Sequence, residues 1–153
     1  MGNQRIAIID NEGVHLNFSD HLNSSSVTTD TQGNITNLID YLPFGADRVN
    51  IQLGNFDNKY KFTDQEKDNE SGLMNFDARQ YNQGIGKFTQ LDPLSLKIAL
   101  AVEVKNTTGQ EQQKLLQNPQ VLNSYAYAAN NPVLYTDPDG ELESLFKSEI
   151  PTS

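Results

Sequence analysis

The sequence predicts a mainly β fold, built from hairpins with one or two short helices, and three observations carry that reading. Apolar residues alternate with polar ones in several short runs, Met74, Phe76 and Ala78 among them, and a period of two marks a half-buried strand. The runs are separated by Asp-x-x-Gly, Gly-x-Gly and Asp-Pro signals, which are turn chemistry. The same device recurs at hairpin spacing, as Asp10-x-x-Gly13 and then Asp30-x-x-Gly33, which points to an internal repeat.

The elements follow in order. Arg5–Asp10 and Val14–Phe18 form a hairpin about Asn11-Glu12-Gly13; Ile6 and Ile8 share one face of the first arm, and Val14, Leu16 and Phe18 one face of the second, with His15 on the polar side. Val27–Asp30 and Ile35–Tyr41 repeat the plan about Thr31-Gln32-Gly33. An Asp at the first turn position accepts a hydrogen bond from the backbone two residues on, and Gly suits the exit. Leu42-Pro43-Phe44-Gly45 is a turn, Val49–Leu53 a short strand, and the acidic loop Asp64–Ser71 leads into the central stretch Gly72–Pro93. There Met74–Ala78 reads as one strand with Asn75, Asp77 and Arg79 on its polar side; Gly84-Ile85-Gly86 turns the chain and Lys87–Leu91 returns until Asp92-Pro93 stops it. The segment 94–105 satisfies helical and alternating spacing alike; it is read as helix, with strand as the alternative. Asn106–Gly109 breaks it, and Gln110–Gln117 favours a short helix. Ser124–Ala129 is read as one or two helical turns capped by Ser124 and stopped by Asn130-Asn131-Pro132, and Val133–Thr136 as a last strand.

Composition narrows the class. The 153 residues suffice for one domain, but hydrophobic content is 36% and mean hydropathy −0.59, which fits part of a larger β structure better than a self-sufficient core. A net charge of −9 disfavours nucleic acid and anionic membranes, which call for basic patches. The absence of cysteine excludes disulfides and thiolate zinc sites. His15 and His21 lack the spacing and company of zinc ligands, so no metal and no cofactor is expected. No apolar run reaches spanning length, no membrane insertion is expected, and Met1–Asp10 lacks the order of a signal peptide.

Two segments together carry a resemblance. Thr63, Glu66, Asp68, Gly72, Leu73, Ala78, Arg79, Tyr81, Gly86, Phe88, Asp92 and Pro93 are followed, after a gap, by Tyr125-Ala126-Tyr127, Asn130-Asn131-Pro132 and Asp137-Pro138-x-Gly140. This ordered set resembles the Rhs-repeat-associated core domain of YD-repeat proteins, a group that includes polymorphic toxins. Upstream, Ser19–Gly45 looks like that family's D-H-L segment leading to Y-x-P-F-G. The resemblance implies degenerate YD-repeat hairpins over 1–59, a core-domain plug over 60–140 with a variable insert at 94–119, and a short tail, 141–153, too short for a toxin domain. It implies a structural role, capping a β-shell of YD repeats supplied by the same or a separate chain, in a split or truncated Rhs protein. It also implies a secreted or cell-surface location, and cell-surface glycans enter as alternative partners through Tyr125, Tyr127 and Tyr135.

The family's chemistry, carried over by position, falls on Asp92 and Asp137. Two carboxyls sharing a site cannot both ionise cheaply, so one keeps a proton while the other activates water. In the family such a pair is implicated in self-cleavage directly after a leucine at the position following Gly140. Here that position is Glu141, and a third carboxylate beside two others is expected to impair the cut. The reading therefore favours a scaffold over an enzyme, with both Asp-Pro pairs serving turns and residual aspartic self-cleavage near Gly140 and Glu141 as the alternative. Gly72, Gly86, Pro93, Asn131, Pro132, Pro138 and Gly140 are expected to shape turns. Arg79 is expected to be either exposed or a buried fork pairing Asp77 or Asp92. Asp64 stands where the family has Gly, which matters if that turn needs positive φ.

Overall fold

The computed structural model describes residues 4–11, 13–97, 113, 116–117, 119–120 and 122–141, with only the backbone of Leu94 and Leu96. The fold is mainly β, with two antiparallel sheets, and the chain divides into two compact units, Met1–Gly72 and Leu73–Ser153.

The first unit holds a sequential five-stranded meander: β1 (Ala7–Asp10), β2 (Gly13–Ser19), β3 (Ser25–Thr29), β4 (Ile35–Tyr41) and β5 (Asp47–Gln52). The Asp-x-x-Gly turns close as their chemistry dictates. Asp10 Oδ1 accepts from the Gly13 amide at 3.1 Å; Asp30 Oδ1 accepts from the Gln32 and Asn34 amides at 2.8 and 2.9 Å.

The burial of this sheet reverses the expected phase. His15 and Asn17 are buried on β2, while Val14, Leu16 and Phe18 are exposed. Asn17, Thr28 and Asn37 are cross-strand neighbours on the buried face, and the segment after β5 covers them. Phe56 stacks on the His15 ring at 3.7 Å, and Asn58 Nδ2 reaches Thr28 Oγ1 at 3.4 Å. Polar groups can occupy a buried face when they satisfy one another. The opposite face carries an apolar row across four strands, Phe18–Val27–Leu38–Ile51, with Phe18 54% exposed. Farther along, a tight 3₁₀ turn spans Phe62–Asp64. Asp64 there has φ +61, so the position does need the left-handed region. Asp tolerates it better than most residues, and its carboxylate is held by Arg5 Nε at 2.8 Å. β6 (Glu66–Lys67) ends the unit's strands.

In the second unit β7 (Met74–Phe76), β8 (Arg79–Asn82) and β9 (Lys87–Phe88) form a meander. The strand expected over Met74–Ala78 stops at Phe76, because Asp77 and Ala78 turn the chain, with Asp77 at φ +52. Across a two-residue turn the flanking residues pair and face the same way. Arg79 therefore lies opposite Phe76, inside rather than outside. Phe76, Tyr81, Phe88 and Tyr127 then pack as one aromatic cluster, centroids 4.8–6.0 Å apart, with Met74 buried beside them in the core.

The 94–105 segment begins as helix, α1 (Pro93–Lys97), with Pro93 at the first position, where its missing N–H is harmless. Residues 98–105 lie outside the described residues, as does most of 110–117. The turn expected over Ser124–Ala129 narrows to a 3₁₀ turn at Ala128–Asn130, without a side-chain cap. Val133–Thr136 is not a strand: Pro132–Leu134 turn and Tyr135–Thr136 are irregular, and the Asn131 carbonyl accepts from the Leu134 and Tyr135 amides at 3.2 and 3.1 Å, which closes the backbone locally. Among the described residues no helix is long and apolar enough to cross a membrane.

Candidate functional site

The second unit buries one guanidinium among acids. Arg79 is 3% exposed, Asp92 and Asp137 1% each. The phase shift at Asp77-Ala78 brings Arg79 inward, Asp92 sits immediately before α1, and Asp137 opens the Asp-Pro-Asp-Gly turn. Arg79 Nη2 lies 2.8 Å from Asp92 Oδ2 and 3.3 Å from Asp137 Oδ2. Its other donors reach the backbone: Nη1 to the Ser124 carbonyl at 3.0 Å, Nε to the Gly140 carbonyl. The guanidinium also lies over the Phe88 ring, 3.7 Å from its centroid, a cation–π contact strengthened by desolvation. One side chain thus ties β8 to the 92, 124, 137 and 140 regions.

Backbone geometry locks the last of these. Asp137 Oδ1 accepts from the Gly140 and Glu141 amides at 2.9 and 3.1 Å, and the Ala78 amide donates to the Asp139 carbonyl at 3.1 Å. Gly140 has φ +73, and a Cβ there would lie 2.5 Å from the Phe76 carbonyl oxygen, so only glycine fits. Asp92 and α1 are tied in as well: the Asp92 amide donates to the Ser124 carbonyl at 3.1 Å, and the Ser95 and Ser124 hydroxyls are 2.6 Å apart.

The charges do not balance one to one. Burial pushes the Asp137 carboxyl up to about 7; Arg79 opposes that, and Asp139 and Asp92 add to it. Burial also lowers the Arg79 pKa, against the pull of Asp92 and Asp137. One cation cannot stabilise two buried carboxylates fully, so a proton on Asp137 is the cheaper solution near neutrality.

Of the residues singled out from sequence, Arg79, Asp92, Asp137, Gly140 and Glu141 converge here. Asp77 does not: it is exposed at the turn, and the partners of Arg79 are Asp92 and Asp137. Gly72 and Gly86 shape turns with φ +71 and +66. Asn131 closes the turn already described, Pro132 is buried within it, and Pro138 lies exposed between Asp137 and Asp139. Tyr127 is fully buried, whereas Tyr125 and Tyr135 reach the surface, so only those two remain as a stacking platform for a sugar. Sequence reasoning missed Ser124 as the carbonyl that anchors both Arg79 and the Asp92 amide. A backbone acceptor leaves no trace in residue identity. Among the described residues no cluster of His, Cys, Asp and Glu has the form of a metal site.

No family model matches the chain. It is 32% identical over 114 residues to salivary gland surface protein 1 of Aedes aegypti, covering 72% of this chain and 3% of that protein. It is 36% identical over 84 residues to the tRNA nuclease WapA of Bacillus subtilis, covering 55% and 3%. Among solved structures it matches crystalline TcdB2-TccC3 with a TM-score of 0.64 at 24% identity, over 86% of this chain and 5% of that one. It matches a Photorhabdus luminescens Tc holotoxin pore carrying a TccC3 mutation with a TM-score of 0.65 at 23% identity, over 88% and 5%. The chain therefore spans 3% of the length of the curated relatives and 5% of those solved chains. It has the fold of a segment of these Tc toxin chains, and with its likeness to WapA it stands in an Rhs-like relation to them.

Proposed function

We propose that the second unit is an Rhs-type core segment whose role is structural: it caps a YD-repeat β-shell, with the five strands of the first unit as repeat hairpins. The observation that carries this is the Arg79 centre, where one buried guanidinium fastens the 92, 124, 137 and 140 regions at once. Such a centre specifies a single closed arrangement of a segment with a small apolar core. The shell is the implied partner, and a secreted or cell-surface location follows from the same relation. The test is co-expression of this chain with a YD-repeat chain lacking its own equivalent segment. Co-elution as one complex, lost in Arg79→Ala, is expected; separate elution of two folded proteins would reject the cap.

A second reading has its own observation. The Asp137 carboxyl, held near neutrality by burial, contacts the Glu141 amide directly. That is the placement of an acid beside a peptide bond, and it favours aspartic self-cleavage by Asp92 and Asp137 over a purely passive turn. Intact mass after prolonged incubation decides it: a C-terminal loss dependent on both aspartates supports the pair, and an unchanged mass leaves the cap alone.

A further inference from the structure

In the first unit the carboxylate of Asp57 holds an amine and a carboxamide at once. Lys61 Nζ lies 3.2 Å from its Oδ1, and Asn69 Nδ2 donates to its Oδ2 at 2.9 Å. The backbone positions all three. The Lys61 amide donates to the Gln65 carbonyl and the Lys67 amide to the Lys59 carbonyl, both at 2.9 Å, so the chain returning toward Asn69 runs beside the chain leaving Asp57. The Lys61 carbonyl is held as well, by the Ser25 amide at 3.1 Å. Lys61 is 4% exposed, a depth that lysine almost never reaches without a charged partner. Asn69, by contrast, is at the surface. Burial raises the Asp57 carboxyl, but the Asn69 and Lys61 contacts outweigh it and hold the group below its ordinary value. It stands ready as a base.

We propose that this is a bond-forming site, in which the Lys61 amine displaces ammonia from the Asn69 carboxamide and joins the two side chains by an amide. An amine attacks as the free base, so it must first lose a proton, and a departing amide nitrogen must gain one. The two oxygens of Asp57 face the two nitrogens concerned. Oδ1 takes a proton from the Lys61 ammonium, and Nζ bonds to Asn69 Cγ, which becomes tetrahedral. Asp57 then passes a proton to Asn69 Nδ2 as the Cγ–Nδ2 bond breaks and the carbonyl re-forms. Two of the three protons of the Lys61 ammonium end on the departing nitrogen, which leaves as ammonium into water at the exposed Asn69. Asp57 returns to its starting state, and no co-reactant is consumed. Holding both reactants on one carboxylate supplies the proximity that makes such a step intramolecular. The product has a clear use in this fold. The segment carrying Phe56 and Asn58 covers the polar face of the sheet, and a chain without cysteine cannot fasten it by a disulfide. An amide between Lys61 and Asn69 closes the hairpin that anchors that segment.

Intact mass of the purified full chain, followed by tryptic mapping, tests the assignment. Expected is a protein lighter than its sequence by one ammonia. Trypsin should fail to cut after Lys61, and the peptide 60–67 should travel joined to the peptide 68–79. Lys61→Arg, which keeps a positive charge beside Asp57, should restore the full mass, as should Asn69→Ala and Asp57→Ala, each with folding verified by circular dichroism. An unchanged mass with ordinary cleavage after Lys61 would overturn the proposal. A loss of ammonia that persists in Lys61→Arg would also overturn it, because it would mark Asn69 closing on its own backbone. Joined peptides in Asp57→Ala would support the pair and overturn the role given to Asp57. The wild-type peptide map decides the bond even where a variant fails to fold.

Discussion

Removing the Arg79 guanidinium takes the cation away from two buried carboxyls and one donor away from each of two backbone carbonyls. Breaking a buried pair in this way costs about 3–5 kcal/mol, so Arg79→Ala should lower unfolding stability by that order in a denaturant titration. Gly140→Ala meets a backbone oxygen in a left-handed conformation and should cost at least about 2 kcal/mol by the same measurement. Asp137 adds a pH dependence of definite sign. Its carboxyl titrates near 7 in the folded chain and near 3.8 when exposed, so between those values the folded form binds the extra proton. Its contribution is therefore present at the acid end of that window and is lost as pH rises through about 7. A thermal midpoint that falls from pH 5 to pH 8, with the trend flattened in Asp137→Asn, is the expected outcome. Residue types foretold part of this centre: Arg79, Asp92, Asp137 and Gly140 all stood out in the sequence. The sequence offered Asp77 or Asp92 as the acid for Arg79; the choice of Asp92, with Asp137 beside it, depends on a turn two residues earlier.

Hairpins were legible as elements because alternation and turn chemistry are local. β1 through β4 lie within a few residues of the expected runs, and the Asx bonds of Asp10 and Asp30 form as their spacing requires. The phase of burial was not legible. Val14, Leu16 and Phe18 look like a core face by polarity, yet Phe56 and Asn58 return over the other face and bury His15 and Asn17. Pattern alone cannot tell which side a later segment will cover. The turns themselves are testable at this scale. Asp30 accepts three hydrogen bonds from Gln32 and Asn34, so Asp30→Ala should speed amide exchange across β3 and β4 while leaving β7 and β8 unchanged. The same limit misled the reading of Met74–Ala78, where no Gly or Pro announced the turn at Asp77.

Across the molecule the two units bury different chemistry, and in the first unit's sheet His15, Asn17, Thr28 and Asn37 are buried along with Ile39 while an apolar row lies on the opposite face. The row from Phe18 to Ile51 should bind an apolar fluorescent dye, and Phe18→Ser should reduce that signal without loss of β circular dichroism. In the second unit, Asp92 and Ser95 are joined to Ser124 by two bonds, which fixes both ends of the intervening chain side by side. Closing a loop whose ends are already pinned depends only on the logarithm of its length, about 0.6 kcal/mol for each doubling. A stretch of ten or so glycine and serine residues added between Lys97 and Leu122 should therefore shift the unfolding midpoint little, and the Arg79 centre should survive it. The serine clasp makes chain length between its ends a nearly free variable, so this chain should tolerate lengthening or shortening there without redesign of the fold around it.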